Sequence, residues 1–185
     1  MLVRTIALVS GLALVGTNPP ALDRVGHDVG RWRSCRLQQL KLTIGPSLSE
    51  KTGQHTLVLV LTNREQNACL LDGYPTVALI DRRGAIVPFS IRHGGDQMVT
   101  SRLPTRVPVR PSRSAFVVFN KYRCDRRDLR FPRQLRLDLS TSNRPAYLSV
   151  GIPAWVHIGY CGNGDPGSTV TVSPFEPTLA AALRH

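Results

Sequence analysis

The chain has 185 residues, of which 42% are hydrophobic and 19% are charged. This length suits one domain with a substantial core, and the composition excludes an intrinsically disordered chain, which would be poorer in hydrophobic residues. The formal net charge is +12, from 24 lysines and arginines against 12 acidic residues, so the surface should attract polyanions without selecting a particular one.

The amino terminus predicts a signal peptide. Residues 1–4 end in an arginine and are followed by an apolar run of twelve residues, 5–16. At about 1.5 Å per residue, such a run cannot cross a hydrocarbon core of about 30 Å, so we expect a leader over 1–17 and no membrane span in the mature protein. The cleavage position stays open as far as Ala21 because two prolines lie in between.

Residues 18–34 show no apolar periodicity and predict a flexible spacer. The pattern after it predicts a β-domain over 35–175 and a tail over 176–185. Export of the chain follows from the leader, and we expect a secreted or envelope-associated protein.

The four cysteines, Cys35, Cys69, Cys124 and Cys161, all lie downstream of the predicted leader. They form no Cys-x-x-Cys pair, which argues against a zinc knot or a thioredoxin-type site. An even number of cysteines in an exported chain predicts two disulfides, and the residues alone allow three pairings. Pairing in sequential order would stabilise the fold by roughly 3–4 kcal/mol per bridge.

Period-two alternation marks the strands. Segments 40–44 and 135–139 alternate and predict half-buried strands, whereas 56–61 is apolar on both faces and predicts a central strand between two packed layers. Further strands are predicted at 77–80, 115–119, 155–158 and 169–172. Short strands at this spacing predict an all-β, antiparallel β-sandwich of about seven to nine strands.

Two other local elements are predicted. Residues 81–84 (DRRG) have the composition of a hairpin turn and lead into an apolar pair at 86–87. Residues 178–183 (TLAAAL) suit a helix, although the segment is too short to be stable alone.

Two segments resemble parts of known sites but are incomplete. Residues 93–96 (HGGD) are similar to the oxyanion loop of esterases, yet the chain has no Gly-x-Ser-x-Gly nucleophile elbow, so we interpret them as a plain loop. Residues 161–168 are glycine-rich like a calcium loop but hold a single carboxylate, which favours a tight turn beside a disulfide. We therefore predict no catalytic residue, metal site or cofactor.

Arginine is densest between 102 and 136. If the sandwich brings part of this set onto one face, that face is a candidate anion-binding surface; its proposed residues are Arg123, Arg126, Arg127, Arg130 and Arg133. The partner would be an unknown envelope component, such as an anionic polymer or lipid, and no nucleic acid is expected outside the cell. The simpler interpretation is that the arginines reflect a GC-rich genome and only solvate the surface.

Several stretches together resemble a known family. They are CRLQQLKL at 35–42, LVLTN at 59–63, ACLLDGYPTV at 68–77, PSRSA at 111–115 and VTVSPF at 170–175. These resemble the actinobacterial secreted family called domain of unknown function 4232, over about residues 35–175. The resemblance implies an immunoglobulin-like sandwich, a location in the cell envelope, and pairing of the first cysteine with the second and of the third with the fourth.

Each part of this pattern has a physical role. Gly73 can take a positive φ, and Pro75 fixes the entry into the next strand. The chain also departs from the family in two ways. The usual loop glycine is absent at Ser112-Arg113, and no cysteine directly follows the predicted leader, so the lipid anchor that many relatives carry is not expected.

We therefore expect an exported, noncatalytic envelope protein that binds or organises an envelope component. An alternative is an accessory or hydrolase-like domain acting on wall polymer, which would need two carboxylates about 5–9.5 Å apart. Asp72, Asp81, Asp96 and Asp125 are the scattered candidates, and their spacing pairs no two of them. A third possibility is a purely structural spacer domain.

Overall fold

The computed structural model describes residues 32–48, 50–125, 130–139 and 146–184. Within these ranges there are ten strands, which in chain order are β1 (Leu40–Ile44), β2 (Gln54–Asn63), β3 (Cys69–Leu71), β4 (Thr76–Ile80), β5 (Ser90–His93), β6 (Val107–Val109), β7 (Ser114–Tyr122), β8 (Gln134–Asp138), β9 (Leu148–Gly151) and β10 (Thr169–Val172). Two 3-10 turns, Leu37–Gln39 and Pro166–Ser168, and a one-turn helix, α1 (Leu179–Ala182), complete the set.

The predicted signal peptide and residues 18–31 of the predicted spacer lie outside the described residues. Among the helices that the structure describes, none is long and apolar enough to cross a membrane. The last residues of the predicted spacer pair with the domain, since Ser34 forms a bridge with Leu70 of β3.

The strands form an all-β sandwich, as predicted. The largest sheet has the order β1-β2-β7-β10-β5, and a second sheet has the order β4-β8-β9, while β3 pairs with β6. The strand pairs are antiparallel except for β10 with β5, which is parallel. Ten strands exceed the predicted seven to nine, and the strands that were not predicted, β3, β5, β6 and β9, have only three or four residues each.

The main core lies between the five-stranded and the three-stranded sheet. Alternate side chains of the facing strands fill it, as the two-residue period of a strand requires. They include Leu40, Leu42, Leu57, Leu59, Leu61, Leu79, Ala115, Val117, Phe119, Leu135, Leu137, Val170 and Val172.

A second, smaller core covers the other face of the five-stranded sheet. Val58 of β2 and Val118 of β7 pack there against Val99 and against Ala182 of α1. The predicted tail therefore lies against the sheet, with Leu183 bridging to Val99. Apolar residues on both faces of β2 are thus explained, and the predicted central strand is confirmed.

The predicted strand at 155–158 is wrong. Residues 154–155 form a turn, and the Val156 N–H donates to the Pro153 carbonyl at 3.0 Å. Proline offers no N–H to a strand ladder, so the apolar run after Pro153 bends instead of pairing. Trp155 is consequently 52% exposed.

Both disulfides join cysteines in sequential order. Cys35 is bonded to Cys69 and Cys124 to Cys161, which confirms the pairing that the family resemblance implied. The first bridge ties the segment before β1 to β3, and the second ties the end of β7 to the segment before β10.

In the Gly73-Tyr74-Pro75 segment, the glycine adopts the positive φ predicted for it. Gly73 has φ 75°, in the left-handed region that glycine enters without a steric cost. Its carbonyl accepts a hydrogen bond from the Phe175 N–H at 3.1 Å, which joins the start of β4 to the segment after β10.

Asn63, at the end of β2, joins four parts of the chain and is fully buried. Its Nδ2 donates to the carbonyls of Asn67 and Val109 at 2.8 and 2.9 Å, and its Oδ1 accepts from the Glu65 N–H at 3.0 Å. Its own carbonyl accepts from the Ser112 N–H at 2.9 Å. The asparagine of the LTN stretch therefore holds together β2, the loop to β3, β6 and the turn before β7.

Replacing Asn63 by leucine should lower the free energy of unfolding by about 2–4 kcal/mol, because buried carbonyls would lose their donors. The control is Asn67→Ala, since Asn67 contributes only its backbone carbonyl and has an exposed side chain. Its stability should change by less than about 0.5 kcal/mol. Urea unfolding of the oxidised proteins measures both values, and equal losses would contradict this role.

Ser112 occupies the position of the missing family glycine with φ 59°, and it is the one described non-glycine residue with a positive φ. A serine in this region costs about 1 kcal/mol relative to glycine. Ser112→Gly should therefore raise the free energy of unfolding by about 0.5–1 kcal/mol, whereas Ser112→Val should lower it. Urea unfolding distinguishes the two, and a valine variant as stable as the glycine variant would refute the argument.

Candidate functional site

Two segments meet beyond the ends of β4 and β8. The antiparallel pairing of these strands reaches Ile80 opposite Gln134, and it continues when the Arg133 N–H donates to the Ile80 carbonyl at 2.7 Å. The turn after β4 therefore lies beside the segment before β8. Arg130 at the start of that segment pairs in turn with Tyr160, so both sides of the junction are held by backbone hydrogen bonds.

This junction borders an open, shallow cavity of about 600 Å³, which we call the arginine cavity. Seven described residues line it: Asp81, Arg82, Arg83, Ala85, Arg130, Phe131 and Arg133. Four of them are arginines and one is a carboxylate, so the lining carries a formal charge of +3.

Asp81 and Arg130 form the fixed part of the arginine cavity. The Arg130 Nη2 lies 2.6 Å from the Asp81 Oδ2, while the Asp81 Oδ1 accepts from the N–H groups of Arg83 and Ala85 at 2.9 and 3.0 Å. The hydrogen bond from Arg130 is the main cause that holds the pKa of Asp81 below its usual value, with the two backbone N–H groups adding to it. Asp81 thus shapes the turn and orients Arg130.

The other cations of the arginine cavity are exposed. Arg82, Arg83 and Arg133 form no salt bridge with a described residue, and Phe131 beside them is 51% exposed. Guanidinium groups bind phosphate and carboxylate groups through two parallel hydrogen bonds. The arrangement is therefore suited to anionic groups that reach it from solvent.

The structure brings together only part of the predicted anion-binding set. Arg130 and Arg133 line the arginine cavity, whereas Arg123 does not and instead lies 5.9 Å from the centre of the Tyr122 ring. Arg126 and Arg127 lie outside the described residues.

Arg82 and Arg83 are the residues that sequence reasoning missed. They were assigned to a hairpin turn, which is confirmed because the Asp81 N–H donates to the Ala85 carbonyl at 2.9 Å. A hairpin turn places its central side chains at an exposed tip. The turn composition of residues 81–84 was therefore the sequence feature that could have indicated an exposed pair of arginines. The meeting of this tip with the segment at 130–133 depends on the β4–β8 register, which the residues alone do not reveal.

A second concave surface lies on β2 and β7, where polar residues satisfy one another. Asn120 is 1% exposed; its Nδ2 donates to Gln54 Oε1 at 2.6 Å and to Asp96 Oδ2 at 2.8 Å, and its Oδ1 accepts from the Thr56 hydroxyl at 3.1 Å. This small cleft of about 270 Å³ is therefore built around an internal hydrogen-bond network. Asp96 belongs to the HGGD segment, in which residues 94–96 form a loop as interpreted, whereas His93 is the last residue of β5.

The glycine-rich segment at 161–168 is a capped turn. Asp165 Oδ1 accepts from the Gly167 N–H at 2.9 Å, and its Oδ2 accepts from the Asp125 N–H at 3.2 Å. The potential ligand atoms of Cys124, Cys161 and Asp165 lie within 4.8 Å of one another. Both sulfurs are bonded in the disulfide, so they offer no thiolate to a metal ion.

The scattered carboxylates do not converge in the arginine cavity. Asp72 pairs with Arg106 at 3.5 Å on the surface, and Asp96 lies in the network of Asn120. Of the four residues named as candidates, Asp81 alone lines the arginine cavity.

The ion pair of Asp81 should give stability a specific pH dependence. Because its pKa is lowered on folding, Asp81 stabilises the folded state above its ordinary pKa of 3.8, and this contribution is lost as the pH falls through the lower folded-state value. The wild type should therefore be more stable than Asp81→Asn at neutral pH, and the difference should shrink below about pH 3.8.

Thermal unfolding midpoints from neutral pH down to about pH 2 would test this sign. Asp72→Asn serves as the control, because the Asp72–Arg106 pair is exposed and should contribute little at any pH. A difference between wild type and Asp81→Asn that stays constant over the whole range would contradict the assignment.

The comparison with known proteins agrees with the family pattern. A family model described as a domain of unknown function (DUF4232) matches residues 35–176, which run from the first disulfide cysteine past the last strand. No curated protein and no solved structure matches the chain significantly. Since the match spans well over half of the sequence, the chain belongs to the family of the domain of unknown function DUF4232.

Proposed function

We propose that this protein is exported to the cell envelope, acts there without catalysis, and binds an anionic envelope polymer through the arginine cavity. The observation that carries the proposal is the group of exposed arginines, Arg82, Arg83 and Arg133, around the fixed Asp81–Arg130 pair. The leader-like start of the sequence and the two closed disulfides support export, because disulfides persist in oxidising compartments.

A polymer fits the shape and charge of the arginine cavity. Its lining is concave and carries a formal charge of +3, so several phosphate or carboxylate groups of one strand could contact it together. Each contact is weak in water, but contacts made by one chain add up. The remaining positive charge of the protein would draw the polymer towards the surface.

The state of Asp81 supports a noncatalytic role. Hydrolysis of a wall polysaccharide needs a second carboxylate across the cleft, about 5–9.5 Å away. Asp81 is the one carboxylate among the described residues that line the arginine cavity, and both of its oxygens already accept hydrogen bonds. The hydrolase-like alternative therefore finds no support in this cavity.

Binding of the full chain to long-chain polyphosphate and heparin tests the proposal. The variant Arg82→Gln/Arg83→Gln/Arg133→Gln keeps the Asp81–Arg130 pair and should bind roughly ten- to a hundredfold more weakly, since each arginine contributes about 1 kcal/mol near an anionic surface. Binding of the wild type should weaken as salt rises. Fluorescence anisotropy of labelled polyphosphate would measure both effects.

The matched control is Arg64→Gln/Arg110→Gln/Arg113→Gln, which removes the same charge from exposed residues outside the arginine cavity. It should weaken binding by less than about threefold, through the smaller net charge alone. Equal losses in both variants, or binding that does not respond to salt, would refute the cavity as the binding site. If the protein binds anionic vesicles but neither polyanion, and the arginine-cavity variant loses this binding, the partner is a lipid surface and not a polymer.

A further inference from the structure

A buried lysine lies against the second disulfide. Lys121, near the end of β7, is only 2% exposed. Its Nζ donates to the Sγ atoms of Cys161 and Cys124, at 3.5 and 3.6 Å. A lysine so deeply buried is rare, because its charged form is costly to remove from water. Because both sulfurs lie within its hydrogen-bond reach, the Nζ is positioned to stabilise negative charge on either of them.

The two cysteines of this bridge differ in exposure. Cys161 is 4% exposed, whereas Cys124 is half-buried. Gly167 lies so close to Cys161 that a Cβ there would stand 2.5 Å from its Sγ and 2.7 Å from the Arg123 carbonyl. The lack of a side chain at Gly167 thus lets the backbone cover the Cys161 sulfur.

We propose that the Cys124–Cys161 bridge is a thiol-exchange site, which opens by reaction of a low-molecular-weight thiol at Cys124. The incoming thiolate bonds to Cys124 Sγ, the S–S bond breaks, and Cys161 Sγ leaves with the electron pair as a thiolate beside Lys121. The product is a mixed disulfide on Cys124 and a Cys161 thiolate held by the Lys121 ammonium. A cation close to the leaving sulfur lowers its pKa, and a lower leaving-group pKa makes exchange faster.

The first disulfide provides an internal comparison. Cys35 and Cys69 are 3% and 1% exposed, and no described cationic side chain donates a hydrogen bond to either sulfur. The greater exposure of Cys124 and the nearby Lys121 therefore favour thiol exchange at the second bridge over the first. This selectivity does not depend on the proposed binding of a polymer in the arginine cavity.

The full oxidised chain would be incubated with glutathione as the probe, quenched with N-ethylmaleimide at intervals, and mapped by peptide mass spectrometry. The Cys124–Cys161 bridge should open at least about tenfold faster than Cys35–Cys69, with glutathione attached to Cys124. Lys121→Met should slow the opening of the second bridge about tenfold and leave the rate of the first unchanged, which also shows that the variant is folded.

Three results would overturn the proposal: equal rates for the two bridges, glutathione attached mainly to Cys161, or an unchanged rate in Lys121→Met. If the methionine variant fails to fold, its first bridge will open faster than in the wild type. In that case the position of the adduct in the wild type and the ratio of its two opening rates decide the question.

Discussion

The pairing of β2 with β7 is the constraint on which the rest of the structure depends. It runs antiparallel over nine residue pairs, from Gln54 opposite Tyr122 to Thr62 opposite Ser114. One face of this pair fills the main core, and the other face packs against α1. Because side chains alternate along both strands, a slip of one residue would exchange these two faces and bury the wrong set. The pair therefore has a single register that satisfies both layers.

Two groups of buried polar residues lie at the ends of this pair, where the apolar faces stop. At one end, the fully buried Asn63 donates hydrogen bonds to the carbonyls of Asn67 and Val109. At the other end, Asn120 holds a polar network and Lys121 contacts the second disulfide. That disulfide bonds Cys124 to Cys161, and the residue before Cys161, Tyr160, pairs with Arg130 through backbone hydrogen bonds. The arginine cavity is thus connected to β7 through one covalent bond and a short set of backbone hydrogen bonds.

The exposed arginines of the arginine cavity and the buried Lys121 differ in how strongly solvent screens their charge. Arg82 and Arg83 are exposed, so water and salt screen their charge, and they act on a partner only in numbers. Lys121 is enclosed, so its interaction with a nearby sulfur is screened much less. The same net positive composition therefore places exposed arginines at the surface and one buried cation against a disulfide inside the domain.

Sequence patterns were enough to predict the all-β class, the doubly buried strand β2, the number of disulfides and the family. Alternation and family motifs are properties of short segments, and the number of disulfides follows from a count of the cysteines. They failed at 155–158, where Pro153 turns an apolar run into a loop. They also could not join Arg82 with Arg133, or place Lys121 against the second disulfide. Those contacts depend on the register between strands that are distant in sequence. Packing of the whole core sets that register, so only the tertiary structure decided them.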